Sequence, residues 1–216
     1  MSIIESMKQI SKTVLMGFIG PFIALLGITV SILVSPGFTW EDNPLSDLGN
    51  YFETDLGDYQ LVSAVAFNGG LIISGILQLY FAIYFFKKLD DRPTKVVMIG
   101  FMIICISESL VGVFSKNFGF LHQISAVTYF LAIPITLAIA GVAWVRFSTI
   151  RWLAWNSLLF AVINVVVIFQ STWGVAFREI INALIVTGWI WVVNYLYYQG
   201  KLENLMKKEV REPHVK

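Results

Sequence analysis

Glu108 stands in "FMIICISESLVGVF", where its neighbours for a turn on either side are apolar or small. An ionisable side chain inside such a run costs on the order of 3 kcal/mol on membrane-insertion scales, so it needs a partner or a task. Other groups of the same kind recur at a similar depth. Asn68 lies about two turns into the second apolar run, His122 opens the fourth, Gln170 closes the fifth, and Arg178 and Glu179 open the sixth. Helical spacing places Glu108, Gly112 and Ser115 on one face, His122, Ala126 and Tyr129 on another, and Arg178 with Asn182 on a third. Two acids and a guanidinium at one level predict a charge-satisfied cluster, in which Arg178 pairs with Glu108, Glu179 or the loop residue Asp47. A histidine beside carboxylates also admits proton carriage or acid-base work.

The elements that must hold these groups are membrane helices. Of 216 residues, 57% are hydrophobic and 13% charged, with a mean hydropathy of +0.74, far from the roughly 25% charge of a soluble domain. Apolar runs at about 14–34, 61–86, 96–114, 124–145, 152–169 and 176–198 are each long enough to cross a core of about 30 Å. They are apolar all round, which excludes the alternation of a spanning barrel. The expectation is an all-α bundle of six transmembrane helices over residues 1–200, followed by a basic tail over 201–216. Pro21 and Pro134 inside spans predict mild kinks. The first run is too long, and lacks the following small-residue site, to be a cleaved signal. The lone Cys105 excludes an intramolecular disulfide.

Charge sets the expected orientation. Lys8, Lys12, Lys87, Lys88, Arg92, Lys95, Arg146, Arg151 and the tail bases Lys201, Lys207, Lys208, Arg211 and Lys216 fall at one end of the spans. Basic loops stay inside, so both termini are expected in the cytoplasm of a cell-membrane protein. The 35–60 loop is then outside. Its stretch "PLSDLGNYFETDLGDYQ" has Asp47, Glu53, Asp55 and Asp58 and no base, as an outer loop permits. Pro44 ends an extended stretch, Ser46 or Asp47 can cap a short helix, and Gly49 allows a close approach. Phe38, Trp40, Tyr51, Phe52 and Tyr59 predict a lid packed on the outer mouth; Glu53, Asp55 and Asp58 read as solvated charges. Asn156 and Asn164 read as interhelical hydrogen-bonding residues, and Gly69, Gly70, Ser74 and Gly75 as a close-packing face. Trp40, Trp152, Trp155 and Trp173 read as interfacial belt residues.

"NPLSDLG", the polar stop "ESLVGVFSKN", "HQISAVTYF" and "REIINALIVTGWIW" together resemble the family called domain of unknown function 998. The resemblance runs over nearly the whole chain. It implies a six-span prokaryotic membrane protein, distantly similar to autophagy-modulator and Frag-type membrane proteins. It also implies outer-face polar positions at the "LSDLG" loop, Asn68, His122 and the Arg178-Glu179 pair, and no reaction. The family pattern has a proline after the phenylalanine ending the third span; here Ser115 follows Phe114.

Three functions fit these residues. The first is a non-enzymatic protein whose outer pocket of Ser46, Asp47, Asn68, Glu108, His122, Arg178 and Glu179 binds a lipid headgroup, a small polar ligand or a membrane partner under the 35–60 lid. The second is a proton-coupled transporter titrating Glu108 and His122, against which stand the lack of an internal repeat and of an acid in the inner half. The third is an intramembrane hydrolase or lipid transferase using Asp47, Glu108 and His122. Only two histidines exist, one of them His214 in the tail, fewer than a zinc hydrolase favours. No G-x-S-x-G, H-E-x-x-H, phosphate-loop or dinucleotide motif is present. No cofactor, no resident metal and no nucleic acid are expected, and the partner of the bundle is the bilayer itself.

Overall fold

A computed structural model describes residues 12–207; Lys8, Lys208, Arg211, His214 and Lys216 lie outside the described residues. The described chain is helical without a strand. Six helices are long and apolar enough to cross a membrane: α1 Lys12–Leu33, α2 Gln60–Lys88, α3 Arg92–Val113, α4 Phe120–Trp144, α5 Arg151–Phe169 and α6 Val175–Tyr198. Their bounds match the expected spans to within about four residues, the usual scatter of helix ends. The helices of α1 and α4 continue through Pro21 and Pro134.

Successive helices pack as antiparallel neighbours, and α6 closes the bundle by returning to α1. There Asn194 donates from Nδ2 to the Val14 carbonyl at 2.7 Å, and Trp191 donates from Nε1 to the Phe18 carbonyl at 3.1 Å. The main core fills the half of the bundle near the termini. Trp144 and Trp189 stack there with centroids 5.7 Å apart. Each indole N–H is satisfied, by Thr94 Oγ1 at 3.0 Å and Ser157 Oγ at 2.9 Å. Asp91 caps α3 by accepting from the Thr94 backbone N–H at 2.9 Å, and it pairs with Arg146.

The start of the tail packs against the bundle. Leu202 and Leu205 are buried, the Leu205 carbonyl accepts the Asp90 N–H at 2.9 Å, and Lys207 N–H donates to the Lys88 carbonyl at 3.0 Å. Backbone pairing clasps residues 202–207 over the α2–α3 connection, which a charge count alone does not reveal.

The close-packing reading of α2 divides. A Cβ on Gly70 would meet Gly27 of α1 at 3.2 Å and one on Gly75 the Cys105 carbonyl of α3 at 2.5 Å, whereas nothing lies within 4 Å of Gly69. Asn156 and Asn164 do not bridge helices. Each donates to a carbonyl of its own helix one turn back, Trp152 and Phe160, both at 2.8 Å. Such a bond to the helix's own carbonyl is a common alternative to bridging for a polar side chain within a helix.

Candidate functional site

The far end of the bundle, opposite the tail, is roofed by the 34–59 loop. Leu45, Leu48 and Leu56 are buried against Ile28, Phe67 and Ala176 and fasten the loop down. Of the five loop aromatics only Phe38 and Trp40 join this packing; Trp40 stacks on Phe177 at 5.2 Å. Tyr51, Phe52 and Tyr59 are exposed. Aliphatic residues anchor the lid because Leu45, Leu48 and Leu56 pack into a cluster with side chains from α1, α2 and α6.

"LSDLG" forms a single 3-10 turn, Leu45–Gly49, with no side-chain cap, so neither Ser46 nor Asp47 has the capping role. The turn is held through its carbonyls by a polar face of α2. Gln60 Nε2 donates to the Asn50 carbonyl at 2.6 Å, Ser63 Oγ to that of Leu48 at 3.0 Å, and Asn68 Nδ2 to that of Gly49 at 2.9 Å. Gly49 is required here, since a Cβ would lie 2.6 Å from Asn68 Oδ1 and 2.7 Å from the Phe67 ring. Asn68 therefore fixes the lid from below. Asp47 does the same from the side: its carboxylate pairs with Lys116 and accepts from Asn43 Nδ2 at 3.2 Å. Desolvation pulls the Lys116 ammonium below the ordinary lysine value of 10.5, against the opposing pull of the nearby Glu179 charge.

Glu108 is buried on α3 and takes its hydrogen bonds from α2. Ser74 Oγ donates to Oε1 at 2.8 Å and Gln78 Nε2 to Oε2 at 2.9 Å. Both donors are neutral. Glu179 accepts the Leu45 backbone N–H at 2.6 Å, tying α6 to the lid turn. Among the described residues Arg178 contacts no carboxylate, so the expected guanidinium pairing is not formed. Its Nη1 donates to the Ile168 carbonyl at 3.3 Å and its Nε is buried without a partner. Lys116, in the turn between α3 and α4, is the base that pairs with Asp47.

The side chains meet around two joined spaces. A chamber of about 60 Å³ under the lid turn is lined by Ser46, Glu108, His122, Tyr129, Phe130 and Glu179, among others. Beside it a groove of about 440 Å³ runs between α4, α5 and α6, with His122, Arg178, Glu179 and Asn182 at its polar part and Phe130, Leu131 and Phe169 along its apolar wall. His122, Phe130 and Glu179 belong to both. His122 Nδ1 lies 2.8 Å from the Phe114 carbonyl. A carbonyl only accepts, so Nδ1 carries a proton, and in the neutral tautomer it is Nε2 that accepts. Of the seven residues expected in one pocket, Ser46, Glu108, His122 and Glu179 line the chamber, Arg178 lines the groove, and Asp47 and Asn68 hold the lid.

Sequence reasoning passed over Gln78 and gave Ser74 a packing role only. The signal was available: Ser74 and Gln78 are one turn apart in an otherwise apolar run, and Gln78 Nε2 also donates to Ser74 Oγ at 2.8 Å.

An all-helical bundle of six spans, with a folded loop closing a polar layer at one end, is a multi-pass membrane protein. Residues 18–196 match the family model described as "Protein of unknown function (DUF998)", and the chain belongs to that family. No curated protein and no solved structure matches it.

Proposed function

We propose that this protein binds a lipid headgroup at the lidded end of its bundle, in the chamber and groove beneath Leu45–Gly49. The observation that carries the reading is the junction of the two spaces. A chamber with a mostly apolar wall, into which Glu108 and Glu179 bring carboxyl groups, opens past His122 and Phe130 into a groove whose rim residues Val127, Leu131 and Phe169 are exposed on the flank of the bundle. That is the division of a lipid itself, a polar head continuous with an apolar chain. The lidded end is outside and the termini are cytoplasmic in a cell membrane, because Lys87, Lys88, Arg92, Lys95, Arg146 and Arg151 all flank the other end of the spans.

The hydrolase reading is weaker because it needs Asp47 with Glu108 and His122, and Asp47 is committed to Lys116 and Asn43 at the lid. Among the described residues no three His, Cys, Asp or Glu side chains gather as a metal site. The transporter reading has Glu108 and His122 on one chamber, and among the described residues the buried acids are Asp47 and Glu108, neither of them in the half near the termini.

Mass spectrometry of the protein purified in detergent without added lipid tests the proposal. It predicts a stoichiometric phospholipid, with Arg178→Ala retaining roughly tenfold less because a charge-assisted contact is removed. Wild-type protein that carries no lipid, or an Arg178→Ala variant that carries as much, would contradict it.

A further inference from the structure

We infer that the headgroup taken by this site is a phosphate ester of a primary amine, as in a phosphatidylethanolamine, with its ammonium in the chamber between Glu108 and Glu179 and its phosphate at Arg178. The inference rests on the lipid reading above and deepens it. The chamber is rich in acceptors. Glu108 is bonded only to the neutral donors Ser74 and Gln78, and Glu179 to the Leu45 N–H. Each carboxylate oxygen has a second lone pair beyond the bond it makes. His122 adds Nε2.

Asn182 supplies an independent pointer. It is 1% exposed and lines the groove. Its Nδ2 donates to the Arg178 carbonyl at 2.7 Å, and its Oδ1 has no partner. A buried acceptor left unpaired is unfavourable, and a donor from a ligand removes that cost. Glu108 and Glu179 in the chamber, and Asn182 Oδ1 in the adjoining groove, each keep room for a further donor.

An ammonium offers three such donors and a positive charge, and Phe67, Tyr129 and Phe130 rings complete its surroundings. A trimethylammonium offers the charge without the donors. The space discriminates as well: a water needs about 10–15 Å³ of such volume, so the chamber of about 60 Å³ accommodates only a few heavy atoms. Arg178 presents the complementary need. Its Nε has no acceptor, and a guanidinium binds phosphate in a fork that a point charge does not match. Arg178, Glu179 and Asn182 lie within about one turn of α6, which suits the short two-carbon link between phosphate and amine.

Delipidated full-length protein in detergent, titrated with phosphatidylethanolamine, phosphatidylcholine or phosphatidylglycerol and read by native mass spectrometry, tests this. Phosphatidylethanolamine is expected to be retained about tenfold over either of the others, and Glu108→Gln to reduce that preference to about twofold. Equal retention of the three lipids by the wild type overturns the amine assignment and leaves the lipid reading standing. Retention of none overturns both. Soluble phosphoethanolamine that displaces the lipid at equal concentration overturns the lipid source. The wild-type comparison decides the matter even where Glu108→Gln does not fold.

Discussion

Asp47 and Glu108 are both buried acids in the same polar layer, yet they are satisfied in different ways. Asp47, at the edge of the lid, has a lysine; Glu108, inside a span, has a hydroxyl and an amide. The difference follows from reach. Lys116 sits in the turn between α3 and α4, from which its side chain meets the loop, whereas among the described residues no Lys or Arg comes within ion-pair distance of Glu108. With Lys116 partly exposed, the Asp47 pair contributes on the order of 1 kcal/mol. Asp47→Asn is therefore expected to lower the unfolding temperature by about 2–4 °C, measured by thermal denaturation in detergent. An unchanged value would show that the lid is held without the Asp47 pair. The acids were legible in the sequence through the cost of placing charge in an apolar run. Their partners were not, because Ser74 and Gln78 are neutral and neutral side chains are read by default as packing.

The helices were legible for the same reason that the membrane dictates them: backbone N–H and C=O groups must be satisfied within each span. The seams between them were less so, since small residues mark close approach without saying on which side. Gly112 of α3 packs on α2, where a Cβ would fall 2.5 Å from the Asn68 carbonyl and 2.9 Å from Ile72. Gly112→Ala should part the two helices, cost about 1–3 kcal/mol of stability and loosen the Asn68 hold on Gly49. Gly69→Ala, on open space, should leave the unfolding temperature where it is. A thermal-denaturation comparison in which Gly69→Ala is the more damaging of the two would contradict this assignment of faces.

Across the whole molecule the termini end is a dense apolar core clasped by residues 202–207, and the lidded end is looser and polar. The asymmetry gives the bundle a densely packed base and, at its opposite rim, a lateral groove where α6 meets α4 and α5. The sequence announced a lid and a polar layer. It could not announce the opening, because that depends on which helices leave a gap, and hydrophobic periodicity is silent when spans are apolar all round. The most direct measurement is an experimental structure of the protein in a lipid bilayer. The account predicts a headgroup seated below Leu45–Gly49 between Glu108 and Arg178, with its chain along Phe130 and Leu131. A closed lateral groove, or a lid with Asp47 turned into water and no lipid beneath it, would contradict that claim.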